Sequence, residues 1–380
     1  SKIRILRILN RFNVGGPVYN ATYLTKYLNK KKYETLLIGG SCEPHEQSAT
    51  YILKNEKVNY IKLKFMGRAI SPFYDLISLI EIIIIIYKYK PQIIHTHAAK
   101  AGLLGRIAPL FYFKKIKIIH TYHGNVFEGY FSSFINKIIL KIERFLANKS
   151  NKIIAISNSQ KHDLVNKYFI CEQDKIEIVP LGFDLSRFSN DLENKREKKR
   201  NEFRVNKDEI LISIIGRVVP IKNHKFFVDV IKYCKQKTNI SLKALIIGDG
   251  SEMNNLIKHT EKLDLKYNYK EMKNDYDIFF CSWKKDIDFF LAASDIVALT
   301  SYNEGTPVSI IESMASGKAS ISTNVGGVSD IIENYKSGIV SKNTIKDFGD
   351  DLLELIIDKD LRRELGKNGK TRSLKLFNYD

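Results

Sequence analysis

Short aliphatic runs alternate with amphipathic stretches along the whole chain. Residues 3–9 (IRILRIL) are apolar enough for a strand buried on both faces, NRFNVGGP reads as a loop, and VYNATYLTKYLNKK spaces its apolar positions as a helix does. YETLLIGG, PQIIHTH, IKIIHTYHG and NKIIAISNS repeat the strand signal, with a helix at AKAGLLGRIAPLFY. The second half restarts the pattern with LISIIGR (211–217), LKALIIGDG (242–250), YDIFFCSW (276–283), DIVALTS (295–301), KASISTN and SGIVSK. Strands separated by helices need crossover connections, which predicts parallel sheets covered on both faces. The expected architecture is α/β: two doubly wound, Rossmann-like domains, residues 1–185 and 186–380, facing across a cleft.

Two stretches stand apart. SRFSNDLENKREKKRNEFRV has no apolar periodicity and is expected to be a linker near residues 184–205 with a solvated face, leading into the second domain. LISLIEIIIIIYKYKP is the most apolar run, but Glu81, Lys88 and Lys90 keep it below the roughly 18 apolar residues of a spanning helix. It reads as a buried core helix.

Composition narrows the classes. With 44% hydrophobic and 27% charged residues the chain is that of a folded globular protein. A formal net charge of +19 favours anionic partners: nucleotides, nucleic acids or an anionic membrane face. The lysines are spread along the chain, whereas nucleic-acid binding asks for a basic stripe with interleaved aromatics, so no nucleic acid is expected. Cys42, Cys171, Cys234 and Cys281 form no CxxC pair, which argues against a disulfide framework or structural zinc and suits a reducing cytoplasm. The opening SKIRILRILN reads as a strand rather than a secretory signal.

In doubly wound sheets, ligands sit at the carboxyl ends of strands where strand order reverses. The polar clusters fall there: Gly15 and Gly16, His95 and His97, His123, Gly216 and Arg217, Gly248 to Gly250, and Glu304. Gly15 and Gly16 let the backbone approach a phosphate or sugar and expose helix amides. Arg217 and Lys222 can converge on one anion, as a planar fork and a mobile point charge suited to a diphosphate.

The helix in NEGTPVSIIESMASG is expected to start at Thr306 or Pro307, with its amides beside that anion. Glu304 precedes it, and Glu312 lies about a turn and a half inside it. Carboxylates repel a diphosphate but accept hydrogen bonds from hydroxyls. A nucleotide-sugar supplies hydroxyls on both sides, so one glutamate is assigned to each. The competing readings are a helix-capping pair and a glycosidase-type pair, and the latter leaves Arg217 and Lys222 without a task.

His123, past its strand, is expected to reach the site, while His95 and His120 are candidates for structural histidines. Strand-end His-x-His without a nearby carboxylate does not call for a metal. Asp275 with Asp277, and Asp286 with Asp288, are assigned surface or helix-start roles. No metal or cofactor is expected.

These segments together (VGGP, HTHAAKAGLLGR, TYHGNVFEGYF, AISNS, VPLGFD, IGRVVPIKN, IGDG and NEGTPVSIIESMASGKASISTNVGG) resemble the retaining glycosyltransferases of the GT-B fold, glycosyltransferase family 4. The likeness is nearly full length and is similar to the subgroup that builds capsule, O-antigen and exopolysaccharide repeats on polyprenyl carriers. It implies a metal-independent enzyme whose N-terminal domain binds the acceptor and whose C-terminal domain binds the nucleotide-sugar. Carried over by motif, Glu304 binds donor-sugar hydroxyls, Glu312 the ribose, and Arg217 and Lys222 the leaving diphosphate. Gly16 approaches the diphosphate by its amide, His123 sits at the reacting centre, and Gly305, Thr306 and Pro307 complete the cradle, with Gly15 and Gly248 beside it.

Departures are Asn223, where the family often has Gly, Asp330, where Glu is usual, and Asn125, often His in this subgroup. The sequence reaches Asp380 about where the family's final helix crosses back to the first domain. The implied partners are a nucleotide-sugar and a lipid-linked saccharide, with the chain on the cytoplasmic face of the membrane. KYLNKKKY and residues 106–117 are candidate lipid contacts. An epimerase or phosphorylase of the same fold is the alternative, distinguished by turnover without an acceptor or with orthophosphate.

Overall fold

A computed structural model describes residues 2–43, 46, 48–67, 69–124, 133–273 and 275–378. The chain divides into two compact units, Ser1–Phe183 and Asp184–Asp380.

The first unit holds seven parallel strands: β1 (Ile3–Arg11), β2 (Tyr33–Gly40), β3 (Tyr60–Lys62), β4 (Ile93–His97), β5 (Lys117–Thr121), β6 (Lys152–Ala155) and β7 (Ile176–Ile178). Their order is β3-β2-β1-β4-β5-β6-β7, so strand order reverses between β1 and β4. The second unit holds β8 (Ile210–Ile215), β9 (Leu242–Ile247), β10 (Tyr267–Tyr269), β11 (Ile278–Ser282), β12 (Ile296–Leu299), β13 (Ala319–Thr323) and β14 (Ile339–Ser341). Its order, β10-β11-β9-β8-β12-β13-β14, reverses between β8 and β12. Both sheets end on either side in a strand of three residues.

The central strands are buried without alternation, as parallel strands covered on both faces must be. All six residues of β9 and all four of β12 are buried. The helix His224–Lys237 drives Phe227 and Ile231 into the second core, and Phe226 meets Phe348 edge-on at 5.5 Å. All four cysteines are free thiols.

Three expectations need correcting. The charged segment is not a solvated linker: Ser186–Ser189 and Leu192–Glu202 are helices, and Lys199 and Arg200 are buried. Their charges are met by carboxylates around the helix Ile287–Ala293. Lys195 pairs with Asp288 at 2.9 Å, Lys199 with Asp286 at 2.8 Å, and Arg196 and Arg200 with Asp295 at 2.6 and 3.0 Å. Burial pushes the Asp295 carboxyl up, yet Arg196, Arg200 and the Leu211 amide outweigh it and hold it below its usual range. Asp286 and Asp288 do open a helix, as expected, and the lysines fix them there.

The apolar run forms the helix Pro72–Tyr89, but only one side is core: Ile82 and Ile86 are fully buried, while Phe73, Leu76, Ile80, Ile84 and Tyr87 are exposed. Finally, Arg106 cannot touch lipid, because it is fully buried and its guanidinium lies 2.7 Å from Glu143.

Candidate functional site

In the second unit the candidate residues gather on the loops that follow β8 and β12, the strands flanking the reversal of order. The β8 loop turns against the β9 loop: Val218 N–H donates to the Asp249 carbonyl at 3.0 Å, and Glu252 N–H to the Val218 carbonyl at 3.0 Å. Gly248, at φ 143°, has no room for a side chain, since a Cβ would stand 1.9 Å from the Gly216 carbonyl oxygen. Arg217 is exposed on this loop and forms no ion pair among the described residues. Lys222 ends a single turn, Pro220–Lys222, and Asn223 follows in the left-handed region at φ 49°. Asn is among the non-glycine residues that adopt this conformation most readily, which accounts for its replacing a family glycine.

The β12 loop is bound to that turn. Tyr302 N–H donates to the Ile221 carbonyl at 2.9 Å, and Thr300 Oγ1 to the Asn223 carbonyl at 3.1 Å. Lys222 Nζ therefore reaches Glu304 Oε1 at 2.5 Å, and Ser301 Oγ donates to the same oxygen at 2.6 Å. Oε2 of Glu304 carries no hydrogen bond among the described residues. Lys222 was expected to point at an anion with Arg217 and Glu304 at hydroxyls; in the structure the two side chains hold each other. A third loop braces the carboxylate from behind. Gly327 N–H donates to the Glu304 carbonyl at 3.1 Å, and Gly326, at φ 49°, lies so close that a Cβ would stand 1.7 Å from that oxygen.

The helix here is Val308–Ala315, with Pro307 as its cap at φ −72° and ψ 95°. It thus begins one residue later than the sequence suggested, because Pro307 keeps an extended ψ. Its first backbone bond runs from Ile310 N–H to the Pro307 carbonyl at 3.1 Å. The amides of Gly305, Thr306, Val308 and Ser309 donate no hydrogen bond among the described residues. Four open N–H groups beside the positive end of a helix are groups that could bind an anion.

Glu312 is half-buried one turn further along, and its carboxyl has no hydrogen-bond partner among the described residues. Loss of water pushes it up to about 7; Arg187, on the short helix Ser186–Ser189, opposes the shift and Asp288 adds to it. In its ionised form such a carboxyl could only accept, as from hydroxyl donors.

In the first unit, Gly15 caps and Gly16 opens the helix Gly16–Tyr27. A Cβ on Gly15 would meet nothing nearer than 3.9 Å, so its own fold does not require glycine there. The histidines form a connected set at the ends of β4 and β5. Arg7 lies 2.6 Å from His95 Nδ1, and His95 Nε2 lies 2.7 Å from Thr121 Oγ1. Arginine can only donate, so His95 accepts on Nδ1 and donates from Nε2. His120 Nδ1 lies 2.8 Å from Thr96 Oγ1. Both are the satisfied structural histidines expected.

His123 faces His97, with Nε2 2.8 Å from its Nδ1, while His123 Nδ1 and His97 Nε2 are buried without a partner. Burial lowers His123 to about 4, and burial with neighbouring positive charge lowers His95, His97 and His120 well below their ordinary value. All four imidazoles are neutral at pH 7. Asn125 and the rest of the YHGNVFEGYF motif from 125 to 131 lie outside the described residues.

Sequence reasoning missed Ser301, Gly326, Gly327 and Arg187 as parts of these arrangements, and it placed His97 at its strand end without pairing it to His123. The small residues of TSYNEG and NVGG, each following a strand, are the signals that could have pointed to the first three. Among the described residues no group of three or more His, Cys, Asp or Glu is placed to hold a metal.

The chain is similar to known proteins over most of its length. A family model described as "Glycosyl transferases group 1" matches residues 195–372, and one described as "Glycosyltransferase Family 4" matches residues 14–187. The chain is 30% identical over 314 residues to the UDP-Gal:alpha-D-GlcNAc-diphosphoundecaprenol alpha-1,3-galactosyltransferase of Escherichia coli, covering 82% of this chain and 78% of that one. It is 29% identical to the capsular polysaccharide biosynthesis glycosyltransferase CapM of Staphylococcus aureus, covering 91% and 87%. Among solved structures, Anabaena HepE in complex with UDP and glucose superposes with a TM-score of 0.80 at 17% identity, covering 99% of this chain and 96% of that one. With two Rossmann-like sheets of the GT-B type, and with a relative at this identity over most of both chains, the protein belongs to glycosyltransferase family 4.

Proposed function

We propose that the protein transfers a hexose or N-acetylhexosamine from a UDP-sugar to a polyprenyl-diphosphate-linked saccharide, with retained anomeric configuration and no metal, in bacterial surface-polysaccharide synthesis. The enzyme acts at the cytoplasmic face of the membrane, its first unit taking the acceptor and its second the donor. The observation that carries the reading is the Lys222–Glu304 pair beside four open amides. A diphosphate fits the amides and draws Lys222 and Arg217 as counter-charges, and Glu304 Oε2 accepts from a donor-sugar hydroxyl. Glu312 takes the ribose hydroxyls, while Gly15 and Gly16 leave room for backbone approach. Gly305, Thr306 and Pro307 frame the phosphates, and His123 contacts the donor sugar as a neutral imidazole.

In the transfer, an acceptor hydroxyl oxygen bonds to the anomeric carbon as the bond from that carbon to the diphosphate oxygen breaks. The hydroxyl proton passes to the departing phosphate, and the charge that develops there is met by Arg217, Lys222 and the amides. Retention follows from attack on the same face as the leaving group, a feature taken from the family. The names of the Escherichia coli and Staphylococcus aureus relatives support the donor, the carrier lipid and the polysaccharide context.

Thermal stabilisation by UDP, GDP, ADP and several nucleotide-sugars, on wild type and Glu312→Ala, tests the donor assignment. A shift with uridine nucleotides that the substitution removes is expected. A folded protein that no nucleotide stabilises would overturn the reading.

A further inference from the structure

The first unit turns two apolar helix stripes to solvent. On Pro72–Tyr89 the exposed residues Phe73, Leu76, Ile80, Ile84 and Tyr87 recur every three or four positions, which aligns them along one side. On Ser133–Lys149 the exposed Phe134, Ile138, Ile142 and Phe145 do the same. The steps β3 to β4, β4 to β5 and β5 to β6 all run in one direction across the sheet. Right-handed crossovers stepping one way place their helices on one face. The two stripes therefore share a face, with the helix Ala99–Ile107 packed between them. The segment after that middle helix continues the first stripe: Phe111 and Phe113 are exposed, Tyr87 donates to the Phe111 carbonyl at 2.9 Å, and the Tyr87 and Phe113 rings lie 6.1 Å apart.

The charges on this face have one sign. Within residues 70–117 and 133–149 the only carboxylates are Asp75, Glu81 and Glu143, and none is exposed. Asp75 pairs with Lys100 at 2.6 Å, and Glu143 is buried against Arg106. Lys88, Lys90, Lys114, Lys115, Lys137, Lys141 and Lys149 are exposed around and between the stripes. The ammoniums of Lys114 and Lys149 lie 5.6 Å from the rings of Phe113 and Phe145, so their stems run along apolar surface and their charged ends are free to turn outward.

We propose that this face docks the protein on an anionic lipid bilayer, with both stripes lying at the boundary of headgroups and acyl chains and the lysines among the headgroups. The assignment deepens, and rests on, the peripheral-membrane part of the function proposed above. No helix among the described residues is long and apolar enough to cross a membrane, so the stripes lie on the bilayer rather than span it. A second copy of the chain is a poorer occupant, because it would set lysines against lysines.

Sedimentation with vesicles of phosphatidylcholine containing about 30 mol% phosphatidylglycerol, and with phosphatidylcholine alone, tests the proposal. The proteins are wild type, the double variants Ile80→Glu/Ile84→Glu and Ile138→Glu/Ile142→Glu, and Ile357→Glu, an exposed isoleucine of the second unit, as control. The wild type should bind the anionic vesicles more strongly, each double variant should lose roughly ten-fold or more in partitioning, and the control should be unchanged. An unaltered response to UDP in the double variants shows that they fold. Equal binding by double variants and wild type would overturn the proposal. So would a wild type that ignores anionic vesicles, or a wild-type dimer that the double variants dissolve. If the wild type binds vesicles as described but no nucleotide stabilises it, the donor assignment fails and the docking face stands.

Discussion

Lys222 and Glu304, 82 positions apart in sequence, hold each other at 2.5 Å between Nζ and Oε1. The carboxylate is nearly buried and the ammonium about one-quarter exposed, so the pair is tethered on the glutamate side and reachable on the lysine side. On the proposed reading, a ligand anion arriving at the open amides would find a cation already in place and need not first attract one from solvent.

Lys222→Ala should lower kcat/KM about 10²–10³-fold, the usual effect of removing one group that stabilises a developing anion. It also strands the Glu304 carboxylate, so UDP should bind more weakly as well. Steady-state kinetics with a UDP-sugar and a UDP thermal shift measure both. Lys222→Arg should restore part of the binding, because a charge remains.

The Glu312 carboxyl gives a stability signature with a definite sign. Its folded value of about 7 lies above the ordinary 4.5, so the native state binds the extra proton between those values. Stability should therefore fall as pH rises from about 4.5 to 7, by on the order of 1–3 kcal/mol for this partly exposed group. Glu312→Gln should raise Tm relative to wild type at pH 8 and leave it unchanged at pH 4.5. In the same variants, UDP affinity of the wild type should weaken below pH 7, as protonation removes the ribose acceptor, while that of Glu312→Gln stays flat.

The histidines act in the opposite sense. His123 and the buried His224, each lowered to about 4, stay neutral in the folded state while the unfolded chain takes up protons near 6.5. Their contribution is complete above pH 6.5 and is lost as pH falls through 4, on the order of 3 kcal/mol for His224. Imidazole resonances of these two residues should begin to titrate only below about pH 5. A midpoint near 6.5 for either would contradict their burial.

Gly326→Ala should destabilise the protein by about 2–4 kcal/mol and weaken UDP binding together, since the added Cβ must displace the Glu304 carbonyl. Denaturant unfolding and the nucleotide shift report the two effects. Loss of stability with unchanged UDP binding would separate the brace from the site.

The sheets were legible because parallel central strands are apolar throughout: every strand read from LISIIGR to SGIVSK is present. The helix Val308–Ala315 was legible from Pro307 and Glu312, with only its first residue displaced. Pairings set by the fold were not. Lys222 with Glu304, and His97 with His123, join different loops, and no local spacing carries them. The helix Leu192–Glu202 hid its role because burial here works through ion pairs with Asp286, Asp288 and Asp295, which a hydropathy pattern does not register. In Pro72–Tyr89 the difficulty was the reverse: apolar residues on both sides leave no periodicity to say which side meets water.

The three-residue strands that close each sheet have a consequence for solubility. A long open edge offers a row of unpaired backbone groups on which a second chain can add as a strand, and fibres and aggregates grow from such templates. Edges of this length give an incoming chain too few partners to stay. Two charged side chains among them, Lys62 and Glu177, make the fit worse. A protein with broad apolar helix surface is thereby kept from polymerising through its sheets even where copies crowd together.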